Sequence, residues 1–77
     1  MDVGNLVIMA NRIGDFFESM PNRKEAKHEL ALHISKFWEP RMRELIISKV
    51  DDSSTQSLHG IVREAIKENL ELLATKK

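Results

Sequence analysis

Apolar residues recur every three or four positions along this chain, which is the spacing of one face of an α-helix. The first predicted helix runs from Val3 to Phe17, and Met20-Pro21-Asn22 ends it. Gly4 and Gly14 should weaken it by about 1 kcal/mol each relative to alanine. Its apolar stripe consists of Leu6, Met9, Ala10, Ile13, Phe16, Phe17 and Met20.

A second helix is predicted to begin at Asn22, because an asparagine followed three residues later by Glu25 resembles a capping box. The residues expected on its inner stripe are Ala26, Leu30, Ile34 and Phe37, with His33 on one shoulder and Ala31 and Trp38 on the other. Leu32 falls more than half a turn from Leu30. We therefore expect Leu32 to be an exposed apolar residue.

Pro40 predicts a corner between two helices. Proline pushes the residue before it out of the helical region, so the second helix should stop near Trp38 or Glu39. Proline also suits the first position of a helix, so a third helix is expected over about Pro40 to Lys49. Arg41 and Arg43 then lie in its first turn. Ile47 points away from its stripe of Met42, Leu45 and Ile46.

Seven polar residues from Asp51 to Ser57 have the composition of a linker. A fourth helix is predicted over roughly Ser57 to Thr75, with Gly60 as a weak point inside it. Its apolar face would contain Leu58, Ile61, Val62, Ala65, Ile66, Leu70 and Leu73. No stretch alternates as a strand does. The sequence thus predicts one all-α domain over residues 1–77, a small antiparallel bundle of three to four helices.

Composition narrows the classes of function. The formal net charge of zero removes the long-range field that drives most nucleic-acid binding, so no nucleic-acid partner is expected. The absence of a signal peptide pattern and of a long apolar run predicts a cytoplasmic location and no membrane association. A chain of 77 residues without cysteine has no disulfide and no thiolate metal site, so we expect marginal stability alone and support from a partner or a second copy.

The titratable residues do not form a recognisable catalytic, cofactor-binding or metal-binding set. His28 and His33 are turned about 140° apart on a helix, and His59 lies on another helix. His33 is interpreted as a half-buried packing residue or as a contact to a partner protein. Phe37 is expected in the core, whereas Trp38 suits either the core or an interface.

The two arginines after the corner also have two interpretations. Arg41 is three residues before Glu44, and Arg43 is four residues after Glu39, so ion pairs within the helix are one reading. The other is recognition of a carboxylate or phosphate on a partner, because arginine suits bidentate contacts.

A family resemblance rests on the same corner. His33-Ile34, Phe37-Trp38 and Pro40-Arg41-Met42-Arg43, preceded by Met9-Ala10-Asn11-x-Ile13-x-x-Phe16-Phe17 and followed by Val62-Arg63-Glu64-Ala65-Ile66, resemble the delta subunits of soluble NAD-dependent formate dehydrogenases. The chain departs from that family at Asp51 to Gln56, where a glycine-richer segment is usual, and at Gly60, where a proline is usual. These departures concern the join between the third and fourth helices.

The resemblance implies a non-catalytic accessory subunit that supports assembly or stability of the enzyme. It places the molybdenum or tungsten pterin, the iron–sulfur clusters, FMN and NAD in the larger partner subunits and none in this chain. The predicted docking surface on those subunits consists of Leu32, His33, Trp38, Arg41, Arg43 and Ile47. The alternative is a small self-associating helical regulator or a nucleic-acid accessory protein, and homo-oligomerisation of the isolated chain remains open.

Overall fold

The computed structural model describes residues 2–74, and within them the fold is all-α with no strand, as predicted. Four helices have nine residues or more: α1 (Val3–Glu18), α2 (Arg23–Phe37), α3 (Pro40–Lys49) and α4 (Gly60–Glu68). A single 3-10 turn (Ser53–Thr55) follows α3, and a four-residue helix, α5 (Leu70–Leu73), follows α4.

The predicted start and end of α2 and the predicted start of α3 are confirmed. The Asn22 side chain accepts a hydrogen bond from the Glu25 backbone N–H at 2.9 Å and so caps α2. Trp38 ends α2 in an extended conformation with φ −90° and ψ 137°. Pro40 then occupies the first turn of α3, where its missing N–H leaves no helical hydrogen bond unmade.

The end of the chain differs from the prediction of one long fourth helix. Helix α4 begins only at Gly60, so this glycine lies at a helix start and not in an interior position. The backbone of Asn69 (φ −129°, ψ 37°) breaks the helix between α4 and α5. Leu70 is therefore 44% exposed instead of lying on the apolar face, and Thr75 lies outside the described residues.

The predicted linker is also more ordered than its composition suggests. The Thr55 side chain is fully buried, and its hydroxyl lies 2.6 Å from the Lys49 carbonyl oxygen at the end of α3. Arg63 of α4 donates hydrogen bonds to the Val50 carbonyl and, at 2.8 Å, to the Thr55 carbonyl. These bonds give the carbonyl groups at the end of α3 and in the 3-10 turn additional side-chain donors, and the bonds from Arg63 tie the segment to α4.

Helix α2 lies at the centre of the molecule and packs on α1, α4 and α5. The buried apolar residues come from every helix: Leu6, Val7, Ala10, Ala26, Leu30, Ala31, Ile34, Trp38, Ile46, Val50, Leu58, Ile61, Val62, Ala65, Ile66 and Leu73. Ile47, predicted to point away from the core, is half-buried against it. The core therefore depends on contacts between helices distant in sequence.

Helices α1 and α4 lie close together at Gly14. A Cβ added there would lie 2.5 Å from Val62 Cγ2 and 3.4 Å from Ile61 Cγ2. Beside this contact, the Asn11 side chain donates to the Ser57 carbonyl at 3.0 Å and accepts from the His59 backbone N–H at 2.8 Å. Gly14 is thus buried because the absence of a side chain lets two helices meet, which helical periodicity alone does not reveal.

Ion pairs join the outer sides of α2 and α4. Glu64 accepts from Arg23 at 3.2 Å and from Lys27 at 3.3 Å, and Lys27 also bonds Glu68 at 2.9 Å. The hydrogen bonds from Arg23 and then Lys27 hold the pKa of the Glu64 carboxyl below its ordinary value of 4.5. Lowering of this pKa by folding means that the ionised form stabilises the folded state.

The close approach at Gly14 predicts an unusual response to alanine. Gly14→Ala should destabilise the protein by roughly 1–3 kcal/mol, because the added methyl forces α1 and α4 apart. Gly4→Ala is the matched control, since its Cβ would make only ordinary contacts with Asp2 and alanine favours a helix by up to about 1 kcal/mol. Urea unfolding of the two variants measures both effects, and equal stability would contradict the packing at Gly14.

The lowered pKa of Glu64 predicts that the ion pairs stabilise the fold at neutral pH and lose this effect in acid. Glu64→Gln should lower the free energy of unfolding at pH 7. The difference from the wild type should shrink as pH falls from about 5 through the folded-state pKa of Glu64. Thermal unfolding as a function of pH measures it, with Glu71→Gln as the control at an exposed helical glutamate. A difference independent of pH would contradict the electrostatic cause.

Candidate docking surface

Four aromatic rings form a continuous row on the outside of α1 and α2. The Phe16 and Phe17 rings meet edge to face at 5.1 Å between centroids, Phe17 meets His33 at 6.1 Å, and His33 meets Phe37 at 4.7 Å. Phe16 and Phe37 are at the ends of the row and are 71% and 70% exposed. We call these four residues the aromatic surface.

Two shallow grooves flank the middle of the aromatic surface, and both are lined by Phe17 and His33. The larger one has a volume of about 380 Å³ and also contacts Arg12, Ile13 and Phe16. The smaller one, of about 160 Å³, is lined in addition by Glu29, Leu32, Lys36 and Phe37. The exposed rings therefore stand beside recesses that could receive side chains of a partner.

Helix α1 shows how the sequence leaves Phe16 outside. The predicted stripe included Met9 and Phe16, but the buried side of α1 consists of Leu6, Val7, Ala10 and Gly14. The helix is turned so that Val7 and Gly14 face the core and Met9 and Phe16 face outwards. The missed signal is that α1 contains more large apolar residues than one face can bury, with Ile8 also 54% exposed.

The prediction for Phe37 is wrong, whereas Trp38 agrees with one of its two interpretations. Phe37, predicted to be in the core, is exposed, whereas Trp38 is only 5% exposed and packs in the core. Helical periodicity ends with Phe37, and the extended backbone of Trp38 sends its ring in a direction that the helix pattern cannot predict. The ring of Phe37 lies on His33, one turn earlier in α2.

The structure brings together only part of the predicted docking set. Leu32 and His33, both half-buried, line the smaller groove. Arg43 is turned towards α5, where its Nη1 donates to the Leu73 carbonyl at 3.4 Å and its Nε is buried. Arg41 is exposed. Trp38, Arg43 and Ile47 are therefore directed mainly at the chain's own core.

A third depression, more polar than the larger groove of the aromatic surface, lies where α4 meets α5. It is lined by His28, Lys67, Glu68, Asn69, Leu70, Glu71 and Leu72, and Leu70 and Leu72 are 44% and 36% exposed. Its exposed apolar residues are aliphatic and fewer than those on α1 and α2. We call this depression and its lining residues the comparison surface.

The part of the chain that the structure describes contains neither a candidate metal site nor a candidate membrane span. Among residues 2–74, no three side chains of histidine, aspartate or glutamate are grouped so that they could hold a metal ion. None of the helices described has the length and apolar character needed to cross a membrane.

Comparison with known proteins gives one match. Residues 5–66 match the model of the family described as NADH-dependent formate dehydrogenase delta subunit (FdsD). The match covers α2 and α3 completely and most of α1 and α4. Searches of curated proteins and of solved structures found no match.

Substitution can test that Trp38 is buried and that Phe37 is exposed. Trp38→Ala should destabilise the protein by roughly 3–5 kcal/mol, because it removes a large buried ring. Phe37→Ala, the neighbouring aromatic residue, should cost less than about 1 kcal/mol. Thermal unfolding followed by circular dichroism measures both, and a larger loss from Phe37→Ala would contradict the described surface.

Proposed function

Because the chain belongs to the delta subunit family of NADH-dependent formate dehydrogenases, we propose that it is a non-catalytic accessory subunit of such an enzyme. In this role it docks on the larger subunits and supports their assembly or stability. The larger subunits carry the molybdenum or tungsten pterin, the iron–sulfur clusters and FMN, and they transfer electrons from formate to NAD. This chain contributes binding surface and no redox group.

One observation carries the proposal of docking: Phe16 and Phe37 are more than two-thirds exposed while they belong to one continuous aromatic row. Exposed contiguous apolar groups mark interaction surfaces, and aromatic residues are enriched at the centres of interfaces. Burying an exposed phenylalanine contributes roughly 1.5–3 kcal/mol. Two such rings therefore contribute roughly 3–6 kcal/mol, which offsets part of the cost of association, and the surrounding contacts must supply the rest.

The chain, although small, has enough surface for an interface of ordinary size. A standard interface buries about 800 Å² per partner, which is a modest part of the 4945 Å² surface of this protein. A partner that binds only the folded chain stabilises it by mass action. The same linkage stabilises the partner, which is the physical meaning of an assembly or stability role.

The six residues predicted to dock take different roles in this proposal. Leu32 and His33 contact the partner, because they line a groove of the aromatic surface. Arg41 is a further contact from the corner. Trp38, Arg43 and Ile47 position the corner and hold it to the core, although Trp38 and Arg43 belong to the string that carries the family resemblance.

Co-purification with the larger subunits tests the proposal. The wild-type chain should remain bound to them, and omitting it from co-expression should lower their yield or their thermal stability. The Phe16→Ala/Phe37→Ala double variant should lower the amount of bound chain at least tenfold, because two exposed rings no longer contribute to the interface.

The control is the Leu70→Ala/Leu72→Ala double variant on the comparison surface, which should co-purify as the wild type does. Circular dichroism would show that both variants keep their helical content. A wild-type chain that does not bind the larger subunits contradicts the accessory role. Full binding of the phenylalanine variant contradicts the choice of surface.

A further inference from the structure

The charged side chains around the aromatic surface suggest the chemistry of the segment that covers it. Three charged residues line its two grooves: Arg12 on α1, and Glu29 and Lys36 on α2. None of the three forms an ion pair within residues 2–74. The rim of the aromatic surface therefore has two cations and one anion that form no ion pair with other side chains of residues 2–74.

A group of charged side chains elsewhere on the molecule is paired. Glu18, Arg23, Lys27, Glu64 and Glu68 form ion pairs with one another across α1, α2 and α4. The acid nearest to Arg12 along α1 is Asp15, whose Oδ1 is held by His59 Nδ1 at 2.9 Å on the side of α4. The side chains that line the two grooves thus include one more cation than anion, although the whole chain has no formal net charge.

From this arrangement we propose that the aromatic surface binds a segment of a larger formate dehydrogenase subunit in which an apolar side chain is flanked by carboxylates. The apolar side chain enters the groove beside Phe16 and Phe17, which has the size at which binding pockets begin, about 300 Å³. The carboxylates face Arg12 and Lys36. This inference rests on the proposed function and specifies the partner's side of the same interface.

The charges also argue against a second copy of this chain as the occupant. A two-fold symmetric interface uses the same surface twice. It would bring together four cations and only two anions from the rims, and juxtaposed like charges oppose association. An acidic partner segment instead neutralises Arg12 and Lys36 while the rings are buried.

The test measures the affinity of the chain for the formate dehydrogenase complex lacking its delta subunit, at low and at high salt. Arg12→Glu/Lys36→Glu should weaken binding at least tenfold at low salt, because attraction to carboxylates becomes repulsion. The loss should shrink at high salt, where charges are screened. Glu29→Gln, from the same rim, is the control and should bind as tightly as the wild type or more tightly.

Each other outcome has a defined meaning. If the charge-reversal variant binds normally while Phe16→Ala/Phe37→Ala does not, the surface docks through apolar contacts alone and the acidic segment is wrong. If both variants bind normally, another surface is used and this inference fails, while the proposed function stands. If the wild type does not bind, the proposed function fails as well.

Light scattering of the isolated chain measures whether it self-associates. The wild type should be monomeric at the concentrations used for binding. A dimer that Phe16→Ala/Phe37→Ala converts to a monomer would show that the aromatic surface binds a second copy and would overturn the proposal.

Discussion

The contact between α1 and α4 at Gly14 is the constraint on which the rest of the molecule depends. Because Gly14 has no side chain, α1 can lie directly on Val62 and Ile61. The Asn11 side chain binds the backbone at the start of α4 and fixes the same crossing from its polar side. Once α1 is held in this rotation, Phe16 must face outwards and Phe17 must meet His33. A packing requirement in the core thus creates the exposed aromatic surface.

One side of the molecule contributes mainly to stability, and in our proposal the other side contributes to binding. Helix α2 buries Leu30 and Ile34 against the other helices, and ion pairs tie its outer side to α4. On the other side, Phe16 and Phe37 remain exposed, and Arg12 and Lys36 line the grooves beside the aromatic surface. With a formal net charge of zero, the chain has little long-range attraction for any partner. Recognition in our proposal therefore depends on short-range contacts and on local charge.

Local signals predicted the fold well because they act within one turn of a helix. The Asn22 cap and the break before Pro40 depend only on neighbouring residues, and the structure confirms both. The rotation of α1 could not be predicted in this way. A hydrophobic stripe is defined by apolar side chains, and glycine has none. The pattern therefore does not predict that α4 buries Gly14, because this contact depends on how the two helices pack.

The candidate surface was only partly predictable for the same reason. His33 was identified because it falls beside the inner stripe of α2, and Leu32 because it falls away from that stripe and was therefore expected to be an exposed apolar residue. Phe37 and Trp38 were assigned by extending the helical period to its last residues, where the backbone of Trp38 leaves the helix. Phe16 was assigned to the core because the helical period alone does not show which of the large apolar residues of α1 exceed what one face can bury.

The central claim is that the aromatic surface lies against a larger formate dehydrogenase subunit. The most direct measurement places a photoreactive phenylalanine analogue at position 37 in one variant and at position 70 in another, and irradiates the assembled complexes. Our account predicts a covalent link to a larger subunit from position 37 and little or none from position 70. Linking from position 70 with none from position 37 would contradict it.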